Sequence, residues 1–228
     1  MLLFFSGCSI TWGDELNDRL NDRFSTLVSN HYNSQHLNIS SRGISNDNIV
    51  RNTIKYLQNY KPDVIVIQFT VTSRIEYYQV NEEPIKFTPQ PTFIPPELKQ
   101  THRDYYTKVY NDAVGAENTW KNIFLFDSFC KSRGQKYIPI LADHYEPILL
   151  RPEKFYKTKE KDGFLSNECI GYWRQLCKDI NITLMHYEVL GMDKQNPQHY
   201  AQWANGGHPS AKGHKVIANK IIELIDAI

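Results

Sequence analysis

Pro62-Asp63-Val64-Ile65-Val66-Ile67 carries the strongest strand signal in the chain. Four β-branched residues in unbroken succession, entered through Pro-Asp, describe a strand buried on both faces. That is the signature of a central strand in a parallel sheet, where a half-solvated strand would alternate apolar and polar residues. Upstream, Ser45 is positioned to cap a helix whose Ile49, Val50, Ile54 and Leu57 share one face. A short strand is expected at Leu37–Ile39. Before it, Asp14 is a candidate cap for a helix carrying Leu16, Leu20, Phe24, Leu27 and Val28 at helical spacing. The chain opens with the apolar run Leu2–Phe5, stopped by Ser6-Gly7, which reads as another buried strand. Strand, helix, strand, helix, strand is the rhythm of an α/β protein with helices on both faces of a parallel sheet.

Downstream the rhythm is interrupted. Residues 81–100 hold five of the eleven prolines (Pro84, Pro89, Pro91, Pro95 and Pro96), which excludes a helix or a central strand there. A helical pattern resumes near Arg103 and runs to about Arg133, with a break expected at Gly115 and a stop at Gly134. Tyr137–Leu141 is the next strand. Residues 143–168 form a second long insertion, rich in aromatic residues. Helical character returns over Cys169–Lys178, a last strand is expected at Ile182–Met185, and an amphipathic helix with Val216, Ile217, Ile221, Ile222, Leu224 and Ile225 on one stripe closes the chain. The expectation is one domain over 1–228, with insertions near 76–102 and 143–168.

Composition narrows the function classes. The 228 residues are 41% hydrophobic and 22% charged, with a net charge of +1, so the basic excess of a non-specific nucleic-acid or anionic-membrane binder is missing. No run is long enough to span a membrane as a helix. The four cysteines form no C-x-x-C pair and read as reduced thiols. The first residues lack the basic region of a signal peptide. A cytoplasmic protein is expected, with virion association or release without a signal as alternatives.

Two loops carry chemistry. Phe5-Ser6-Gly7-Cys8-Ser9-Ile10-Thr11-Trp12-Gly13 places a serine just past the first strand, where open parallel sheets bind their ligands. Such a turn also serves as a phosphate cradle or as a plain strand-to-helix connection. Asn205-Gly206-Gly207-His208-Pro209-Ser210 places a histidine on the loop before the last helix, free to act as general base toward a distant serine. The plainer alternative has His208 exposed and Ser210 capping the helix. His214, inside that helix, is the weaker candidate base. Asp143-His144 is too sparse for a metal site, and no metal or cofactor is expected.

Together these loops resemble the SGNH hydrolases, also called GDSL esterases and lipases. Gly7-Cys8-Ser9 stands where that family has G-D-S, and His208 matches the histidine of its D-x-x-H. The resemblance implies a three-layer α/β/α sandwich around a flavodoxin-like parallel sheet. It implies Ser9 as nucleophile and His208 as base. Gly43, in Ser41-Arg42-Gly43-Ile44-Ser45-Asn46, then supplies an oxyanion N–H, and Asn46 supports that loop or lines the site. The family's third block, G-x-N-D, falls on Thr70-Val71-Thr72-Ser73. Thr72 therefore takes the place of the oxyanion asparagine, with Ser73 and Arg74 as neighbours that help hold substrate. Asn205 occupies the position of the family's aspartate. Asp193, Asp143 and a backbone carbonyl are the other groups that can orient His208.

The implied activity is hydrolysis of small O-acyl esters, carbohydrate-linked ones included, with a small molecule or glycan as the partner. A weakly active SGNH-fold binding or structural protein and an O-acyltransferase are the alternatives. The aromatic residues of the second insertion and Trp203 fit either a sugar platform or lid packing. Oligomeric state is not read from the sequence.

Overall fold

The structure, a computed structural model, describes residues 1–78, 84–89, 91, 94–141, 172–184 and 201–228. Five parallel strands form the main sheet: β1 (Leu2–Ser6), β2 (Gln35–Asn38), β3 (Val64–Phe69), β6 (Tyr137–Leu141) and β7 (Thr183–Leu184), in the order β2-β1-β3-β6-β7. Taken along the chain, that is the flavodoxin-like order 2-1-3-4-5. A separate antiparallel pair joins β4 (Ile75–Tyr77), just before the proline-rich segment, to β5 (Ile85–Phe87) within it.

The alternation of side chains along each strand builds two cores. Phe4, Ile65, Ile67 and Phe69 point to one face, against α4 (Asn46–Leu57) and α6 (Asp112–Ser132). Leu3, Phe5, Val64 and Val66 point to the other, against α3 (Phe24–His31) and α8 (Ala211–Asp226). Every residue of β3 is buried, as its unbroken β-branched run requires. This is the expected α/β/α sandwich.

Several local expectations shift. Asp14 caps no helix. The first turn, α1 (Ser9–Trp12), begins directly after Cys8, and the next helical turn, α2 (Arg19–Asp22), is capped by Asp18. Ser45 and Ser210 do cap α4 and α8, accepting from the Asn48 and Gly213 amides at 3.2 and 3.4 Å. The break near Gly115 is displaced. α5 (Lys99–Asp104) runs into a π-helical turn at Tyr105–Val109, the chain extends at Tyr110–Asn111, and α6 passes straight through Gly115. A Cβ at Gly115 would stand 2.9 Å from the Thr72 carbonyl oxygen and 3.0 Å from the Tyr110 hydroxyl, so close packing explains this glycine. Within the described residues α7 covers Tyr172–Leu176 and β7 covers Thr183–Leu184, while Cys169 and Met185, the outer ends of the two expected segments, lie outside them. The second insertion, with Asp143 and His144, and also Asp193, lies outside the described residues.

Candidate active site

The strand order reverses between β1 and β3, so the loops leaving these two strands diverge and open a crevice at their carboxyl ends. Ser9 leaves β1 and Thr70 leaves β3. Ser9 is the first residue of α1, 5% exposed. His208 reaches it from the loop before α8. A tight reversal shapes that loop: the Ala204 amide donates to the His208 carbonyl at 2.8 Å, and the Ser210 amide donates to the Gln202 carbonyl at 2.8 Å. Trp203 and Pro209 form an antiparallel bridge across it. Ser9 Oγ and His208 Nε2 are 2.9 Å apart, across 199 residues of sequence.

The group on the other ring nitrogen is Glu15, a correction to the expected Asn205. Glu15 Oε2 is 3.0 Å from His208 Nδ1 and also accepts from the His208 backbone amide at 2.9 Å. Asn205 sits exposed in the turn at the tip of the reversal. Burial works to raise the Glu15 carboxyl. It is outweighed by hydrogen bonds from the His208 amide and ring, the His208 charge and the Gly206 amide, which hold it below the ordinary glutamate range. An ionised carboxylate can only accept, so Nδ1 carries the proton and Nε2 is the bare nitrogen that receives the Ser9 hydroxyl. Glu15 reaches this place through a left-handed backbone, φ 65°, uncommon outside glycine and typical of functional positions. Gly206 gives it room, because a Cβ there would lie 1.9 Å from Glu15 Oε1.

Asp14, the neighbouring carboxylate, lies 4.0 Å from His208 Nε2 but is gripped by the Arg42 fork through Nε and Nη2, both at 2.9 Å. Lys86, from β5, donates to Ser41 Oγ and to the Arg42 carbonyl at 3.1 Å each. The loop that carries Gly43 is thus tied to the segment that follows the Ser9 turn on one side and to the β4–β5 arm on the other. Gly43 adopts φ 69°, and a Cβ there would meet nothing within 4 Å, so the glycine answers a backbone requirement beside open space.

The remaining expected residues are placed as follows. Asn46 is a fastener rather than a wall of the site. Its Oδ1 accepts from the Thr70 amide at 2.7 Å, and its Nδ2 donates to the Thr70 carbonyl and to Thr119 Oγ1. Thr72 is buried, with its hydroxyl 3.3 Å from that of Tyr110. The Ser73 carbonyl accepts from Tyr106 at 2.8 Å. Arg74 Nη1 donates to Thr70 Oγ1 at 2.9 Å. His214 is fully buried in α8, stacks on Phe24 and accepts from the Phe24 amide through Nδ1 at 3.1 Å. Desolvation, reinforced by the His208 charge, pushes His214 down to about 4, so it is a neutral packing histidine.

Sequence reasoning missed Glu15, Asp14, Arg42 and Gln68. Only the acidic pair directly after Gly13 hinted at the first two. Gln68, on β3, accepts at Oε1 from the Thr11 amide at 3.1 Å and from the Thr11 hydroxyl, and donates through Nε2 to Cys8 Sγ at 3.1 Å.

The profile of the GDSL-like lipase/acylhydrolase family matches residues 5–221. The chain belongs to that family. As a GDSL acylhydrolase it is a hydrolase acting on ester bonds. Solved structures share its fold at low identity. A member of the lipolytic G-D-S-L family from Veillonella parvula is 12% identical, covers 100% of this chain and 98% of its own, and superposes with a TM-score of 0.53. The esterase EstA from Pseudoalteromonas, in a structure inhibited by monoethylphosphonate, is 13% identical with 99% and 97% covered and a TM-score of 0.56. A lipase/acylhydrolase from Enterococcus faecalis is 14% identical with 99% and 95% covered and a TM-score of 0.53. No curated protein matches the sequence. Among the described residues of this GDSL chain, no helix is long and apolar enough to cross a membrane, and no group of three or more His, Cys, Asp or Glu is arranged to hold a metal.

Proposed function

We propose that this GDSL hydrolase is a serine esterase working through Ser9, His208 and Glu15 on small O-acyl esters, including acyl groups carried by sugars. The observation that carries the reading is the continuous line of hydrogen-bond contacts from Ser9 Oγ to His208 Nε2 at 2.9 Å and from Nδ1 to Glu15 at 3.0 Å. In the first step Nε2 takes the hydroxyl proton as Oγ attacks the ester carbonyl. The imidazolium that forms is stabilised by the Glu15 carboxylate. The Ser9 and Gly43 amides receive the developing oxyanion, with Thr72 as a further donor from the third block. Nε2–H then protonates the departing alcohol. Water, deprotonated in turn by Nε2, releases the acid.

Hydrolysis of p-nitrophenyl acetate and butyrate and of acetylated sugars, measured for the native chain beside Ser9→Ala and His208→Ala, tests this. The native chain is expected to turn over the short esters, and each variant is expected to lose at least about 10³-fold in turnover while keeping its circular dichroism. Undiminished hydrolysis by Ser9→Ala overturns the proposal. Absence of turnover on every ester tested does so as well, and favours a binding role for the fold.

A further inference from the structure

The arm formed by β4 and β5 has two unlike faces. Ile75, Tyr77, Ile85 and Phe87 alternate onto one, where they pack with Ile94 and Leu98. Glu76 and Lys86, directly opposite each other in the ladder, share the other. Glu76 holds that face against α4. Its side chain is 3% exposed, and its carboxylate accepts from Arg51 Nη1 and Nη2 at 2.6 and 2.8 Å. Lys86 therefore stands on a pinned pair of strands, and its Nζ donates to Ser41 Oγ and to the Arg42 carbonyl at 3.1 Å each. That carbonyl belongs to the same planar unit as the Gly43 N–H. The peptide is trans, so the two groups point in opposite directions, and whatever holds the carbonyl aims the amide. Arg42 and Gly43 are the middle pair of a turn, with Arg42 at negative φ and Gly43 at 69°, the signs of a type II turn. A type I turn differs from it chiefly by a flip of the middle peptide, which would turn the amide the other way. Glycine accepts either backbone, so the residue itself does not choose between them. Among the described residues the Gly43 amide has no hydrogen-bond partner, so it is available to a ligand.

We infer that Lys86 is a positioning residue for the oxyanion site: it holds the Arg42–Gly43 peptide with its carbonyl toward the arm and its N–H toward Ser9, against a flip that would turn the amide away. The inference rests on the reading of the chain as an esterase with Gly43 as an oxyanion donor. Other contacts bring the loop to the nucleophile's side. The Ser41 amide donates to the Gly7 carbonyl at 3.1 Å, and the Arg42 fork grips Asp14. Neither of these touches the peptide between Arg42 and Gly43, whereas Lys86 bonds to it directly. The ammonium also polarises the carbonyl it binds, which makes the N–H at the other end of the same peptide a stronger donor.

The test is kcat and KM on p-nitrophenyl acetate, with Ki for a trifluoromethyl ketone, for the native chain, Lys86→Met and Lys86→Arg. In the ketone adduct Ser9 Oγ bonds to the carbonyl carbon, its proton passes to His208 Nε2, and the former carbonyl oxygen keeps the negative charge. Ki therefore reports on the oxyanion donors. Removing a whole oxyanion donor costs about 10²- to 10³-fold in turnover. A peptide left free to flip still presents its N–H part of the time, so Lys86→Met is expected to lose about tenfold in kcat, with KM within about twofold, and to raise Ki about tenfold. Lys86→Arg, which keeps a cationic donor on a long stem, is expected to recover most of the loss. The Lys86 side chain is exposed, so both variants are expected to keep native circular dichroism. Lys86→Met with unchanged kcat and Ki overturns the inference and leaves the esterase reading standing. So does a loss confined to KM, or one that Lys86→Arg does not relieve. A native chain without turnover overturns the esterase reading, and the inference with it.

Discussion

Replacing Glu15 with glutamine tests the proposed role of Glu15 as the carboxylate behind His208. The carboxylate accepts from three N–H groups: the His208 amide at 2.9 Å, His208 Nδ1 at 3.0 Å and the Gly206 amide. A glutamine has one acceptor oxygen, so its NH2 must face either the His208 donors or the Gly206 amide, and one donor goes unanswered. The charge is lost as well. Two unit charges about 3 Å apart attract by about 5 kcal/mol at an effective dielectric near 20. The His208 and Glu15 side chains are 28% and 29% exposed, so solvent screening leaves about half of that. About 3 kcal/mol withdrawn from the imidazolium is on the order of 10²-fold in turnover. If the amide also draws the ring into the wrong tautomer, the loss approaches about 10⁴-fold, the size seen for such a change in serine proteases. In steady-state kinetics on p-nitrophenyl acetate at pH 7.5, turnover is expected to drop by about 10²- to 10⁴-fold while KM stays nearly constant. Asn205→Ala, run beside it, is expected to stay within about twofold, as for an exposed turn residue. A Glu15→Gln variant within a few-fold of the native rate, or a larger loss in Asn205→Ala, refutes the assignment of Glu15.

Other consequences are equally accessible. Gly206→Ala forces a methyl to within 1.9 Å of Glu15 Oε1, so turnover is expected to fall at least about tenfold while circular dichroism stays native. An unchanged rate would show that Glu15 need not lie against this turn. Asn46→Ala leaves the buried Thr70 amide without its acceptor and is expected to lower urea-unfolding stability by about 1–3 kcal/mol. His214 is pushed from 6.5 down to about 4 in the fold, so below pH 6.5 the unfolded chain binds a proton that the folded chain refuses. Stability is therefore lost as pH falls from 6.5 toward 4, by about 3 kcal/mol from this group. In His214→Asn, whose amide oxygen can still accept from Phe24, the decline over that window should be shallower by about that amount. Parallel pH profiles would remove His214 as the cause.

What was legible in the sequence was whatever depends on neighbours along the chain. The β-branched run Val64–Ile67, the unbroken apolar run Leu2–Phe5, and the serine caps of α4 and α8 are local patterns, and the sheet follows from them. Ser9 and His208 were legible because each lies in a recognisable loop at an element boundary. Glu15 was not. Its role needs a contact across 193 residues and a positive φ at a residue type that seldom adopts one. The spacing rule that pointed to Asn205 fails because position 205 lies at the exposed tip of a reversal that the sequence does not announce. Gly115 misled for a related reason. Glycine signals a break when only local propensity is weighed, whereas here it admits Thr72 and Tyr110 against an unbroken helix. The antiparallel β4–β5 arm was hidden by the prolines around it. One of its residues, Lys86, reaches the Gly43 loop, a contact no periodicity encodes.

Covalent trapping bears most directly on the pairing of Ser9 with His208. The chain is incubated with a p-nitrophenyl alkylphosphonate, its intact mass is read, and the modified peptide is sequenced. One phosphonyl group per chain, on Ser9, and absent in His208→Ala, is the predicted result. A native chain that takes up no label, or takes it up on another residue while Ser9 stays free, contradicts the assignment of Ser9 as an activated nucleophile.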